Sequence, residues 1–393
     1  MNKIEIPDAE FRQRIRNTQQ EMLREGLDLL LCFANEAEPQ FVRYYSDYWP
    51  SFELAGVLIP VGGTPLLLIG PESGTFAGSV SRIPDIRKLL VLRESSEPEY
   101  PGAKLDTFEG VIREAMEGAP LRAFGIAGYS LIPHIVFADL AAAVEKLGGS
   151  APVRADDLVS RLRAKKSSNE IACMREAYRI TGVAMKKVLD NIHVGMTENE
   201  VKGIAMAEIF AQGGEGEAYP FWILTGQGSN QAISRCRGKV IQPGDIVQLQ
   251  IGARYAGYAA TMGRPVVMGE ASPEQRALIN AGYSAQKAIL ETARPGVNAK
   301  AVSDAHYAVL KELGFDGHIL YGPCHGTGLM EGEYPWIESN SDYLLEKDMT
   351  FCTCVYLGDN KNKVGIRVED GFLITEEGAL SLSDYRRELI EIQ

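Results

Sequence analysis

Long apolar runs are missing from this 393-residue chain. The longest, such as Asp28-Leu29-Leu30-Leu31-Cys32-Phe33, fall far short of the roughly 20 residues a bilayer requires, so they read as buried strands and no membrane partner is expected. Positive charge is in deficit. Lys and Arg number 40 against 52 Asp and Glu, a net charge of −12, and no basic stripe with interleaved aromatics appears. That balance excludes a nucleic-acid or anionic-membrane surface. Cysteine is sparse, six residues in no paired spacing, which excludes a disulfide framework and points to a reducing cytoplasm. Residues Met1 to Phe11 carry charges and a proline but no apolar signal segment, so export is not expected.

What is present has the balance of a globular protein: 45% hydrophobic and 23% charged residues. The length exceeds one ordinary core, so two domains are expected, 1–160 and 161–393. In the first, Phe11, Ile15, Met22 and Leu23 share one face of a helix over Asp8 to Glu25, which Gly26 ends. Strands at Leu27–Phe33, Val57–Pro60, Pro65–Ile69 and Arg122–Ile126, with a helix at Ile135–Leu147, make an α/β unit. The basic stretch Ser160–Lys166 marks the joint, and Ser167-Ser168-Asn169-Glu170 caps a long helix. Two helix pairs follow, about 169–191 with 198–212 and 273–292 with 299–313. Similar turns join them, Val194-Gly195-Met196-Thr197 and Pro295-Gly296-Val297-Asn298, with Thr197 and Asn298 as N-caps. This is weak internal duplication. Strand-rich runs occupy 246–253, 349–356 and 365–374.

Motifs are spread through the second half: Gly244-Asp245-Ile246-Val247-Gln248-Leu249-Gln250-Ile251-Gly252, Gly257-Tyr258-Ala259-Ala260-Thr261, His325-Gly326-Thr327-Gly328 and Arg367-Val368-Glu369-Asp370. In order and spacing they resemble the creatinase, prolidase and aminopeptidase P family of the "pita-bread" fold. The segment 163–171 resembles that family's domain joint. The resemblance implies an N-terminal creatinase-like α/β domain, a pseudo-twofold C-terminal catalytic domain of mixed α+β type, and a homodimer. Metal-dependent members hold two divalent ions with Asp, Asp, His, Glu and Glu. The matching positions here are Gln250, Thr261, His325, Cys354 and Glu369, so three of the five have changed.

A pair of dications needs several anionic oxygens, and Glu369 is the one carboxylate left among the five. The expectation is therefore no metal cofactor, with a single divalent ion left open on Cys354, His325 and Glu369. The expected catalytic residues are His325 as base, Cys354 as nucleophile and Glu369 as the acid holding the imidazole, in the logic of a Cys–His–acid triad with the thiol pKa lowered. Core packing of the same residues is the alternative. Expected substrate contacts are Gln250, Thr261, Tyr258, Trp336, Glu333 of the family-like Glu-x-Pro segment, and Glu53, which the resemblance would bring from a partner subunit. Creatine fits poorly: no His lies between His193 and His306, where creatinase has its base, and Trp336 stands at its arginine position. The glycine-rich stretches 213–216 and 226–228 lack the Gly-Lys-Ser/Thr of a phosphate loop. These readings lead to a metal-independent, or at most mononuclear, hydrolase. Its expected target is a non-peptide C–N bond in a small polar metabolite, as in creatinases and ectoine hydrolases. An Xaa-Pro dipeptidase or aminopeptidase, and a non-catalytic binding protein, are the alternatives.

Overall fold

The computed structural model describes residues 4–393. Residues 1–3 of the N-terminal stretch read above lie outside them. The chain divides into compact units whose border falls at 163/164, where the sequence suggested 160/161.

In the N-terminal unit a six-stranded sheet has the order β4-β3-β2-β1-β5-β6. Its strands are β1 (Leu29–Ala34), β2 (Ala55–Pro60), β3 (Leu66–Ile69), β4 (Ile86–Lys88), β5 (Phe124–Ala127) and β6 (Val153–Arg154). All residues of β1, β2, β3 and β5 are buried, which accounts for their continuous apolar sequence. Gly26, in the left-handed region at φ 71°, closes the first helix, Asp8–Glu25.

The C-terminal unit centres on a nine-stranded sheet. Its main path is β14-β13-β15-β16-β12-β9-β8, with β17 added to β16 and β18 to β12; β7, β10 and β11 form a separate small sheet. The ranges are β7 (Gly216–Glu217), β8 (Trp222–Thr225), β9 (Ile246–Ile251), β10 (Ala253–Tyr255), β11 (Tyr258–Ala259), β12 (Met262–Met268), β13 (Cys324–Gly326), β14 (Glu333–Ile337), β15 (Thr350–Asp359), β16 (Val364–Ile374), β17 (Ala379–Ser381) and β18 (Ile390–Ile392). Four long helices, Ser168–Leu189, Glu198–Ala211, Pro273–Thr292 and Ala299–Glu312, lie within two residues of their expected limits. Each starts at a side-chain cap, with full capping boxes at Ser167/Glu170, Thr197/Glu200 and Ser272/Gln275.

The internal duplication is real at the level of backbone bonds. In the first turn the N–H of Gly195 donates to Ile241, that of Ile241 to Met196, and that of Glu198 to Lys239. In the second, Gly296 donates to Leu345, Leu345 to Val297, and Ala299 to Tyr343. Gly195 and Gly296 both have positive φ, 95° and 81°. Two apolar clusters fill the unit. One gathers Ile180, Met185, Ile209, Leu249 and Val266; the other gathers Ile279, Ile289, Val302, Phe351 and Val368. Strands β9 and β12 pack mainly into the first cluster, and β13, β15 and β16 into the second.

Candidate active site

Residues opposite one another in adjacent strands place their side chains on the same face. One such row crosses the sheet through Trp222 (β8), Gln250 (β9), Gly263 (β12), Glu369 (β16) and Cys354 (β15). Two residues from Cys354, and so on its face, Cys352 stands opposite His325 of β13. Four of the five family-matched positions thus meet on one side of one sheet. Gly263 supplies the gap in the row: a Cβ there would lie 2.1 Å from the Oε1 of Gln250. Gln250 is buried, and both its amide atoms are without a hydrogen-bond partner.

Glu369 is the hub. Its Oε2 accepts from the Thr261 hydroxyl at 2.9 Å, and its Oε1 accepts from the Cys354 thiol at 2.8 Å and from the Arg367 guanidinium at 3.1 Å. Tyr219 and Thr261 share a hydroxyl contact of 3.0 Å. Arg367 is buried, sits 4.6 Å over the Trp222 ring, and donates to the carbonyl of Ala232. Burial disfavours its charge, but Glu369 together with Cys354, Tyr321 and Glu331 outweighs this and holds the guanidinium above its ordinary pKa. At Cys354 burial dominates and, with Glu369, raises the thiol pKa against the opposing pull of Arg367 and His325. The expected lowered thiol pKa is thus reversed, because the sulfur faces a carboxylate in a dry setting.

His325 is buried. Its Nδ1–H donates to the Gly326 carbonyl at 3.0 Å, which fixes the tautomer and turns Nε2 toward the Glu331 carboxylate, 3.3 Å away. Burial works against a charged imidazole, but Glu331 and Cys354 outweigh it and hold the pKa well above the ordinary value. Glu331 is lowered in turn: burial pushes up, and facing His325 pulls down further. A backbone carbonyl, not Glu369, therefore orients the imidazole.

The other expected residues are dispersed. Trp336 on β14 is 48% exposed, its ring 5.3 Å from that of His325, so it forms a rim of the cluster. Glu333 is held by Lys166 at 2.9 Å in a buried ion pair. Tyr258 is buried and donates to Glu170 at 2.8 Å, bracing the cap of the Ser168–Leu189 helix. Glu53 lies in the N-terminal unit, where its carboxylate accepts from the backbone of Glu72 and Ser73 and the Ser73 hydroxyl. Arg264 pairs with Asp370 at 3.0 Å, both fully buried. Arg235 and Arg237 are exposed. Glu331 and Arg367 belong to the cluster, although neither was expected to have a role there. Arg367 carried a signal, two residues before Glu369 and on the same strand face. Glu331 sits in a loop, where no periodicity announces orientation.

The fold and this cluster define a two-unit α/β protein with a buried polar centre on one face of the C-terminal sheet. Residues 172–376, just over half the chain, match metallopeptidase family M24, and the protein belongs to that family. It is 26% identical to the Xaa-Pro dipeptidase of Pyrococcus furiosus over 94% of this chain and 100% of that one. It is 28% identical to the probable dipeptidase PepE of Mycobacterium tuberculosis over 86% and 92%. In fold it is similar to the X-Pro aminopeptidase of Thermotoga maritima (TM-score 0.82, 23% identity, 96% and 99% covered) and to the prolidase of Pyrococcus horikoshii (TM-score 0.81, 24% identity, 96% and 100% covered).

Two expectations are corrected by these findings. Hydrolysis of a non-peptide C–N bond in a small metabolite, independent of metal, gives way to the peptidase alternative, because the relatives matched along nearly the whole chain are Xaa-Pro dipeptidases. The expectation of no cofactor is overturned by membership in a metallopeptidase family. The family's pair of ions nevertheless does not fit the five positions. Glu369 is the one carboxylate among them, and both its oxygens are committed to Thr261, Cys354 and Arg367. Gln250 and Thr261 bring no charge, and the buried Arg367 cation already answers the Glu369 charge.

Proposed function

We propose that this chain hydrolyses short peptides of the Xaa-Pro kind. The observation that carries the reading is the end-to-end match to Xaa-Pro dipeptidases, 94% of this chain against 100% of the Pyrococcus furiosus enzyme. The cluster supports it. Trp336, half-exposed at the rim and 5.3 Å from the His325 ring, offers a flat apolar face suited to a pyrrolidine ring beside the polar centre. Gln250 brings an uncommitted amide N–H and C=O, the groups that a peptide bond requires of its partner. A proline nitrogen leaves as an amine and needs a proton. The His325–Glu331 pair stores one at Nε2, and delivering it is the role proposed for His325. Cys354, Thr261 and Glu369 hold the opposite wall, with Arg367 fixing the carboxylate. In this reading Glu333 and Tyr258 shape the wall through Lys166 and Glu170. A cytoplasmic homodimer, with Glu53 near a neighbouring subunit's site, completes the proposal.

The test is a panel of Xaa-Pro and Xaa-Ala dipeptides with the full chain, in buffers containing zinc, manganese or cobalt. Preferential release of proline is expected. Turnover of Xaa-Ala but not Xaa-Pro peptides, or of neither, overturns the reading.

A further inference from the structure

One of the five family-matched positions, His325, also belongs to a second donor set. A ring nitrogen of His325, a carboxylate oxygen of Glu331 and Cys352 Sγ all lie within 4.8 Å of one another. The imidazole cannot turn away, because its Nδ1–H is tied to the Gly326 carbonyl. Its Nε2 lone pair therefore points at a carboxylate oxygen 3.3 Å away, and two lone pairs at that distance need a cation between them, a proton or a metal ion. A tetrahedral ion with bonds of about 2.0–2.3 Å spaces its ligands about 3.3–3.8 Å apart, which the His325–Glu331 separation already meets. The carbonyl-to-imidazole bond is also the supporting contact that metal-bound histidines commonly have. Thiolate and carboxylate together balance a dication, while the neighbouring Arg367 is neutralised by Glu369.

We propose that the cluster takes one thiophilic divalent ion, zinc by preference, on His325, Glu331 and Cys352, in place of the family's pair of ions. Imidazole, thiolate and carboxylate favour zinc over manganese, magnesium or calcium. Three protein ligands leave one position open, as in catalytic rather than structural zinc sites. Binding forms N–Zn, O–Zn and S–Zn bonds, and the Cys352 thiol and the His325 Nε2 each release a proton to solvent. The inference goes beyond the peptidase reading and stands apart from it: with the ion bound, His325 Nε2 is a ligand and no longer carries the proton assigned to it there.

The experiment uses the full chain, stripped with chelator and reloaded with zinc or cobalt. Elemental analysis is expected to return one zinc per chain. The cobalt form is expected to show a thiolate-to-cobalt charge-transfer band that Cys352→Ser abolishes and Cys354→Ser keeps. Glu331→Gln is expected to weaken zinc at least about tenfold. Should Cys352→Ser fail to fold, X-ray absorption at the zinc edge of the unaltered protein decides, with one sulfur at about 2.3 Å expected. No stoichiometric metal, two metals per chain, a band lost in Cys354→Ser instead, or no sulfur at the edge each overturns the proposal. The dipeptide panel is scored separately, so the failure of one reading is distinct from the failure of the other.

Discussion

A single imidazole carries most of the chemistry available to this site. His325 has one nitrogen fixed by a carbonyl and the other opposed by a carboxylate. His325→Ala is expected to lower peptide hydrolysis by about a hundredfold or more, the usual scale for a lost proton carrier, with the circular dichroism spectrum unchanged. The pair also has a signature in stability. The folded pKa of His325 is raised, so its contribution is complete below about pH 6.5 and is lost as pH rises through the folded value. The folded pKa of Glu331 is lowered, so its contribution is complete above about pH 4.3 and is lost as pH falls through the folded value. Denaturant unfolding of the metal-free wild type and His325→Ala should therefore differ most between those limits, the gap narrowing toward alkaline pH. Gly263 gives a packing test. An alanine Cβ would meet Gln250 Oε1 at 2.1 Å and the Glu369 backbone nitrogen at 2.9 Å. Gly263→Ala is expected to destabilise by about 1–3 kcal/mol in urea.

Among the elements, β12 and β16 bear the greatest electrostatic demand. Asp370 on β16 is fully buried and holds Arg264, Arg387 and Gln286 together. Asp370→Asn leaves the Arg264 guanidinium buried without its counter-charge, and a loss of about 3–5 kcal/mol is expected in chemical denaturation. How far such elements were legible depended on their period. Three of the four long helices of the C-terminal unit were marked by caps at Ser167–Glu170, Thr197 and Asn298, and Pro273–Thr292 has its expected limits. Positions on regular strands were legible too: Gln250, Cys354 and Glu369 converge because the register carries them there. Loops hid the rest. Glu331 has no strand period to aim it, and the commitment of Glu333 to Lys166 joins residues 167 positions apart. The Cys354 pKa was misjudged for a related reason. The motifs put Glu369 on the imidazole, whereas the thiol is buried and that carboxylate stands 2.8 Å from the sulfur instead.

For the whole molecule, the resemblance read from four motifs pointed to the family that the match over 172–376 establishes. What the motifs did not convey was how much the rest of the chain weighs. The altered ligand positions argued for a different reaction, while similarity running the full length of an Xaa-Pro dipeptidase argues for the same one on a changed centre. No helix among the described residues is long and apolar enough to cross a membrane. Sedimentation at several concentrations tests the proposed dimer, with a mass near twice 43.0 kDa expected.

The twin turns at Gly195 and Gly296 share three backbone bonds apiece, although their side chains differ. Such a stitch is indifferent to the letters written over it. Transplanting Pro295-Gly296-Val297-Asn298 into the place of Val194-Gly195-Met196-Thr197 should yield a chimaera that melts as a single soluble species within a few degrees of the parent. The ancestral symmetry would then persist as an interchangeable part.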